Sequence, residues 1–476
     1  MNAPVDELAV HGELCAVADD IAQGAISSEA LTRVCLARLE RFGPELNAIV
    51  SIDAAAALEA ARRIDLAQMR GEDIGRLGGV PLAHKDVFYR AGRVCASGSK
   101  IRRDFVPGRT ATVLARLEAA GAVNLGALSM SEFALSPTGY NEHYGHGRNP
   151  WNTAHCSGGS SSCSGAAVAA RLVFGSLGSD TGGSIRYPAA MCGVTGLKPT
   201  YGRVSRAAVM PLAWTLDCVG PLARSARDCA RLLSVIAGAD PADGHALPVP
   251  VPDYEESLNG KIRGLRIAVP KPYYYDAVDD QVRRALEQSL TVLREQGAVI
   301  VETAAPDMAL VNAMMQLVMS VEAATLHRRW LAERPQDYAD QVRARIEPGF
   351  CYPATRYAEA LALRAKIAQD YLSVAMRGAD LLHLPAVPVT VPTIEQTSGG
   401  SPADVARAID AVTHCVRAIN YLGLPAIAVP AGFSSNGLPI GFQLVGRHFD
   451  EATLLRVADA YQRVTDWHKR VPPMAL

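Results

Sequence analysis

The sequence lacks an excess of either charge. Its 47 Lys and Arg nearly balance 48 Asp and Glu over 476 residues, a formal net charge of -1, so no bulk field draws the chain to nucleic-acid phosphates or anionic membranes. It also lacks any CxxC pair. Ten cysteines stand singly, and no charged start followed by an apolar run opens the chain, so a reducing, cytoplasmic setting is expected. No long apolar run reads as a membrane span: Gly165 to Gly178 is too short and carries Arg171. HExxH, GxxxxGK[ST], a GxGxxG after a strand and GxSxG are all missing. Zinc hydrolysis, P-loop phosphotransfer, dinucleotide binding and the nucleophile elbow therefore lose their usual sequence support. No internal repeat is visible, and no cofactor or metal is expected.

What is present is a chain that folds. With 49% hydrophobic and 20% charged residues, it suits two or three ordinary domains or one large α/β domain. Ser27 and Ser28 offer caps for a helix through Leu31, Cys35, Leu39 and Phe42. Thr110 is placed to cap a helix through Val113, Leu114 and Leu117 that stops at Gly121 and feeds a strand from Ala122 to Leu128. The unit recurs as strand Leu265 to Val269, helix Val282 to Glu295 and strand Ala298 to Val301. Such alternation predicts a mainly parallel or mixed sheet covered by helices on both faces. Ala237 to Asp253 reads as a loop, Met308 to Asp380 as largely helical, and Leu381 to Val391 as an edge strand, because Pro385, Pro388 and Pro392 keep it from a central place. Leu454, Leu455, Ala458 and Tyr461 mark a closing helix.

Chemistry concentrates in a glycine- and serine-dense region. Ser157 to Gly165 reads SGGSSSCSG, and Gly178 to Arg186 reads GSDTGGSIR, with an Ala-rich helix between them. Glycines ahead of a serine let backbone N–H groups converge on a developing oxyanion, which makes Ser184 a candidate nucleophile. The same composition suits a flexible or phosphate-cradling loop, and the residues alone leave both readings open. No histidine lies in a motif that marks it as a base. A lysine kept neutral by burial is the alternative, and Gly79 to Asp86, GVPLAHKD, presents Lys85 after an apolar segment. By default Lys85 is a surface or ion-paired residue and His84 a packing or hydrogen-bonding one. His143 and His146, in a Gly/Asn/Pro-rich loop, are read as loop hydrogen-bonding residues in preference to metal ligands.

Together GVPLAHKD, SGGSSSCSGAAVAA and GSDTGGSIRYPA resemble the amidase signature family in order and spacing. The likeness extends to Arg148–Trp151, Gly193–Thr200, Gly423–Pro425 and Gly446–Arg447, and is least distinctive from about 240 to 380. It implies one large α/β domain, with a mixed, mostly parallel twisted sheet flanked by helices on both faces. Within it, residues 1–65 would form an N-terminal helical segment, 66–240 the catalytic core, 241–380 a variable, largely helical substrate side, and 381–476 the rest of the core. The resemblance assigns a Ser-cisSer-Lys triad to Lys85, Ser160 and Ser184. It places the oxyanion hole at the backbone N–H groups of Thr181, Gly182, Gly183 and Ser184, and a substrate-lining segment at Met130-Ser131-Glu132-Phe133. Asp86, Asp180 and Arg186 are read as residues that hold the loops. Ser162-Cys163 departs from the Gly-Gly most common after the paired serines, and Cys163 is expected to pack and not to react.

The implied activity is hydrolysis of linear amides through an acyl-enzyme, with aryl esters and carbamates (urethanase activity) as further substrates. The family also holds the glutaminase subunit of tRNA-dependent amidotransferases. Its Tyr-rich glycine segment is not found here, Tyr357 to Arg364 standing in its place, so a stand-alone amidase is the expectation and the glutaminase the alternative. A non-catalytic binding protein on the same fold is the alternative of another class. A small apolar or aromatic substrate, no nucleic acid, no membrane and a homodimer complete the expectations.

Overall fold

Helix Ser28–Leu46 begins where Ser27 Oγ accepts the N–H of Ala30 at 3.3 Å, the cap expected from sequence. A computed structural model of the chain describes residues 3–476, so the first two residues of the N-terminal segment lie outside it. In chain order the strands are β1 (Ile49–Ile52), β2 (Pro81–Lys85), β3 (Val123–Leu128), β4 (Arg148–Asn149), β5 (Asn152–Cys156), β6 (Gly175–Asp180), β7 (Thr195–Lys198), β8 (Cys218–Ala223), β9 (Arg266–Lys271), β10 (Val299–Ala304), β11 (Leu381–Pro385), β12 (Ala426–Phe433) and β13 (Pro439–Val445). Eleven of them form one sheet in the order β1-β3-β2-β6-β8-β7-β12-β13-β11-β9-β10, and β4 and β5 form a separate hairpin.

The sheet is mixed, as expected. Its parallel pairs are β2 with β3 and β6, and β9 with β10 and β11. The other six pairings are antiparallel, so parallel character is confined to two blocks and the middle of the sheet is antiparallel. β2, β6, β8, β7 and β11 are buried along their whole length, so both faces of the middle of the sheet are covered.

Two local expectations are corrected. Leu381 to Pro385 is an interior strand between β13 and β9, because the strand ends at Pro385 and its preceding residues keep their ladder donors; Pro388 and Pro392 fall beyond it. Thr110 does not cap the next helix, which starts at Thr112 after Ala111 without a side-chain cap; its hydroxyl instead accepts the N–H of Ala91 at 3.2 Å.

The long helix Met308–Glu333 has the length and apolar composition to cross a membrane, and half of that stretch is buried inside the protein. Met315 and Met319 on it face the cavity described next.

Candidate active site

Lys85 is the last residue of β2 and Asp180 the last of β6. Leu82 pairs in parallel with Gly175, so the two strands run out together at their carboxyl ends, the edge where open α/β sheets place their sites. Lys85 is 1% exposed. Its Nζ donates to Ser160 Oγ at 2.7 Å and to Ser179 Oγ at 2.8 Å. Burial pushes the ammonium down to about 7, against Asp217 and Asp180, which favour its charged form.

Ser160 lies on the loop between β5 and the buried helix Ser162–Ala169. The Gly159–Ser160 peptide bond is cis. Gly159 has no room for a side chain, since a Cβ there would stand 2.4 Å from the Ser136 carbonyl oxygen. Ser184 follows β6 and precedes helix Arg186–Cys192. The backbone ties the two serine loops together: Ser161 N–H donates to the Ser184 carbonyl at 3.2 Å. No hydrogen bond joins the hydroxyls of Ser160 and Ser184 directly, and in enzymes without bound substrate such contacts are often long.

The loop Thr181 to Ser184 is fixed from behind. Asp180 accepts the N–H groups of Gly183 at 2.7 Å and Ile185 at 3.1 Å, and pairs with Arg186 at 3.1 Å with both side chains fully buried. Burial opposes ionisation of Asp180, yet Arg186, Lys198 and Asn420 outweigh it and hold the carboxyl well below the usual range. Arg186 in turn donates to Asn420 Oδ1 at 2.6 Å and Gln443 Oε1 at 3.0 Å. This is the scaffold role expected for Asp180 and Arg186. Asp86 is likewise buried, accepting the Ser97 N–H at 2.9 Å.

One expected oxyanion donor is committed elsewhere. The Gly183 N–H points at Asp180, leaving those of Thr181, Gly182 and Ser184 without an acceptor among the described residues. Gly183 is nonetheless demanded by the backbone: its φ is +122°, and a Cβ would meet the Tyr187 ring at 2.3 Å.

Ser184 opens onto a cavity of about 40 Å³, walled by Tyr187, Met315, Met319, Arg345, Thr413 and Arg417. Met130 does not line it; that side chain is buried behind, and its carbonyl accepts from Asn141 Nδ2 at 2.9 Å. The helical stretch after 308 does contribute, through Met315 and Met319. His84 is a packing residue whose Nδ1 accepts the Leu177 N–H at 3.0 Å, and burial pushes its imidazole down to about 3. His143 stands 3.2 Å from Glu132, and His146 Nδ1 accepts the Asn141 N–H at 3.1 Å. Cys163 is buried against the Asn47 carbonyl at 3.4 Å, and burial pushes its thiol up to about 12.

Sequence reasoning passes over Ser179, Arg345 and Arg417. Ser179 could have been found, because alternation along β6 turns it to the opposite face from Asp180. The two arginines stand in no motif.

The chain is similar to known proteins over most of its length. A family profile described as Amidase matches residues 30–455. A Glutamyl-tRNA(Gln) amidotransferase subunit from Chloroflexus aggregans (strain MD-66 / DSM 9485) is 41% identical over 96% of each chain. Among solved structures, a chain from a vestigial protein complex bearing on the origins of an s-triazine catabolic enzyme superposes with a TM-score of 0.87, at 34% identity over 95% of this chain and 98% of that one. The corresponding Glutamyl-tRNA(Gln) amidotransferase subunit from Thermotoga maritima superposes with a TM-score of 0.77, at 31% identity over 92% of each. A lysine and two serine loops gathered at one sheet edge, within a profile match that takes in most of the sequence, place this chain in the amidase signature family.

Proposed function

We propose that this amidohydrolase cleaves the C–N bond of a small linear amide through an acyl-enzyme on Ser184. Neutral Lys85 takes the Ser160 proton as Ser160 takes that of Ser184, and the Ser184 oxygen bonds to the acyl carbon. The N–H groups of Thr181, Gly182 and Ser184 receive the oxyanion. Reversal of the relay delivers the proton to nitrogen, the C–N bond breaks and ammonia or an amine leaves. Water then adds to the ester and frees Ser184. The observation that carries this reading is the contact of 2.7 Å between Ser160 Oγ and a buried Lys85 whose ammonium titrates near 7.

Glutamine hydrolysis, in the manner of a tRNA amidotransferase component, is supported by the 41% identity to such a protein over nearly the whole chain. The relatives thus favour the glutaminase over the stand-alone amidase expected from sequence. In that reading partner subunits and a tRNA come with it, so the expectation of no nucleic-acid partner is not carried forward. A stand-alone hydrolase is the second reading, favoured by a closer superposition on a peptide amidase, with a TM-score of 0.85 against 0.77 for the amidotransferase subunit. Cleavage of esters and carbamates follows from the same chemistry at an acyl carbon.

Ser184→Ala tests the core of the proposal. It should abolish hydrolysis of every amide substrate while leaving the thermal melt unchanged, and a fluorophosphonate should label Ser184 in the parent protein. Turnover retained in the variant rules out Ser184 as the nucleophile.

A further inference from the structure

Arg345 and Arg417 meet in the cavity that holds Ser184, although they are separated by 72 residues of sequence and come from different segments. No carboxylate lines that cavity among the described residues. Arg345 makes no ion pair among the described residues, and the one carboxylate paired with Arg417 among them is Asp410, at 3.8 Å and 75% exposed. Burial, followed by the repulsion of Arg417, pushes Arg345 down to about 10, against the exposed Asp410, whose carboxylate offsets only part of it. The other polar groups on the wall are hydroxyls, those of Thr413 and Tyr187 among them. Two guanidiniums whose one nearby carboxylate is long-range and exposed gain from an anion between them, and a carboxylate accepts from two such forks with good geometry.

We infer that Arg345 and Arg417 together form the specificity pocket for a carboxylate on the non-scissile end of the substrate, and that the pocket selects against an ammonium beside that carboxylate. The inference rests on the proposed acyl transfer at Ser184 and, within it, favours the stand-alone reading over glutamine hydrolysis. The favoured substrate is the monoamide of a short dicarboxylic acid, or a ureido acid of similar length. Glutamine carries an additional positive charge, and no acidic side chain on the wall receives it. The size of the cavity, room for about three waters, fits a short chain, and the unbranched Met315 and Met319 can shift to admit it. Hydrolysis of such an amide yields ammonia and the dicarboxylate itself, so the product is also a ligand for the pocket. This replaces the apolar or aromatic substrate expected from sequence with a small anionic one.

The test is the rate at which a fluorophosphonate labels Ser184 in the presence of malonate, succinate, glutarate, glutamate or butyramide at matched ionic strength. At least one of the three dicarboxylates should slow labelling by about tenfold at millimolar concentration, and the zwitterionic glutamate and neutral butyramide should slow it far less. Arg345→Met and Arg417→Met, each shown to fold by thermal melt, should raise the dicarboxylate concentration needed by about 10- to 100-fold, and Arg417→Lys should restore part of the protection. In turnover, glutarate monoamide should exceed glutamine in kcat/KM. Equal protection by glutamate and glutarate, or protection that survives both Met variants, overturns the pocket assignment. Labelling of Ser184 with no protection by any dicarboxylate does the same and leaves the nucleophile standing. Absence of labelling removes the nucleophile, and the pocket inference with it.

Discussion

Ser179 accepts a hydrogen bond from Lys85 at 2.8 Å, almost as short as the one Lys85 gives Ser160. The lysine is thus held between two hydroxyls, one on the loop between β5 and helix Ser162–Ala169 and one on β6, the strand beside its own that leads to Ser184. A hydroxyl acceptor favours the charged ammonium and also fixes the direction of its N–H bonds. Ser179→Ala should lower kcat by about tenfold and move the acid limb of the pH profile to lower pH, because one stabiliser of the ammonium is gone. Ser179→Thr should recover most of the loss. A kcat loss without a displaced limb would assign Ser179 to packing alone.

The Lys85 ammonium, pushed by burial from 10.5 to about 7, sets two pH dependences. Catalysis needs the neutral amine, so kcat/KM should rise through pH 7 to a plateau. Stability follows from the same displacement. Below pH 7 both folded and unfolded chains carry the charge, and the folded chain bears its full burial cost. Between 7 and 10.5 only the unfolded chain binds the proton, so stability gains with rising pH. Relative to Lys85→Met, the parent should therefore become steadily more stable across that window in urea melts at several pH values. A flat difference would place the amine in a solvated setting.

Asp180→Asn should destabilise the fold by about 3–5 kcal/mol, because it leaves the fully buried Arg186 without its counter-charge. Asp180 is held well below the usual carboxylate range. Its contribution is therefore complete above the ordinary aspartate value of 3.8 and is lost only as the pH falls below it. Urea melts of parent and variant at pH 7 and pH 3 measure both effects, with the gap between the two proteins narrowing at the lower pH.

Nine of the ten cysteines are buried and Cys351 is exposed. A native-state thiol titration should find one fast-reacting group per chain, with the remainder appearing on unfolding. Cys163→Ala should retain activity, since its thiol is held protonated by burial. Loss of activity on alkylation of Cys351 alone would indicate that the exposed thiol lies on the route to the site.

Much of the site is legible in the sequence because it sits in three short blocks whose glycines are dictated by the backbone. Gly183 cannot carry a side chain beside Tyr187, and Gly159 cannot carry one beside the Ser136 carbonyl. The apolar segment before Lys85 raises a buried amine only as an alternative, and the resemblance to the family selects it. Other parts depend on contacts between distant segments. Arg345 and Arg417 sit on the helical side of the molecule in surroundings that resemble any surface helix, and only folding turns them to one cavity. The commitment of the Gly183 N–H to Asp180 is a matter of local geometry that the spacing DTGGS leaves open. Pro385 misleads as a sheet breaker because what matters is whether it precedes or ends the paired residues.

The bracing of Arg186 by Asn420 and Gln443 has a consequence for biosynthesis. By residue 184 the ribosome has delivered the three proposed triad residues, yet the braces arrive more than 230 residues later. A nascent or proteolytically shortened chain that ends before Asn420 keeps the Asp180 contacts to this turn but leaves Arg186 without two of its acceptors, so the turn is fully braced only after the carboxyl-terminal segments have packed.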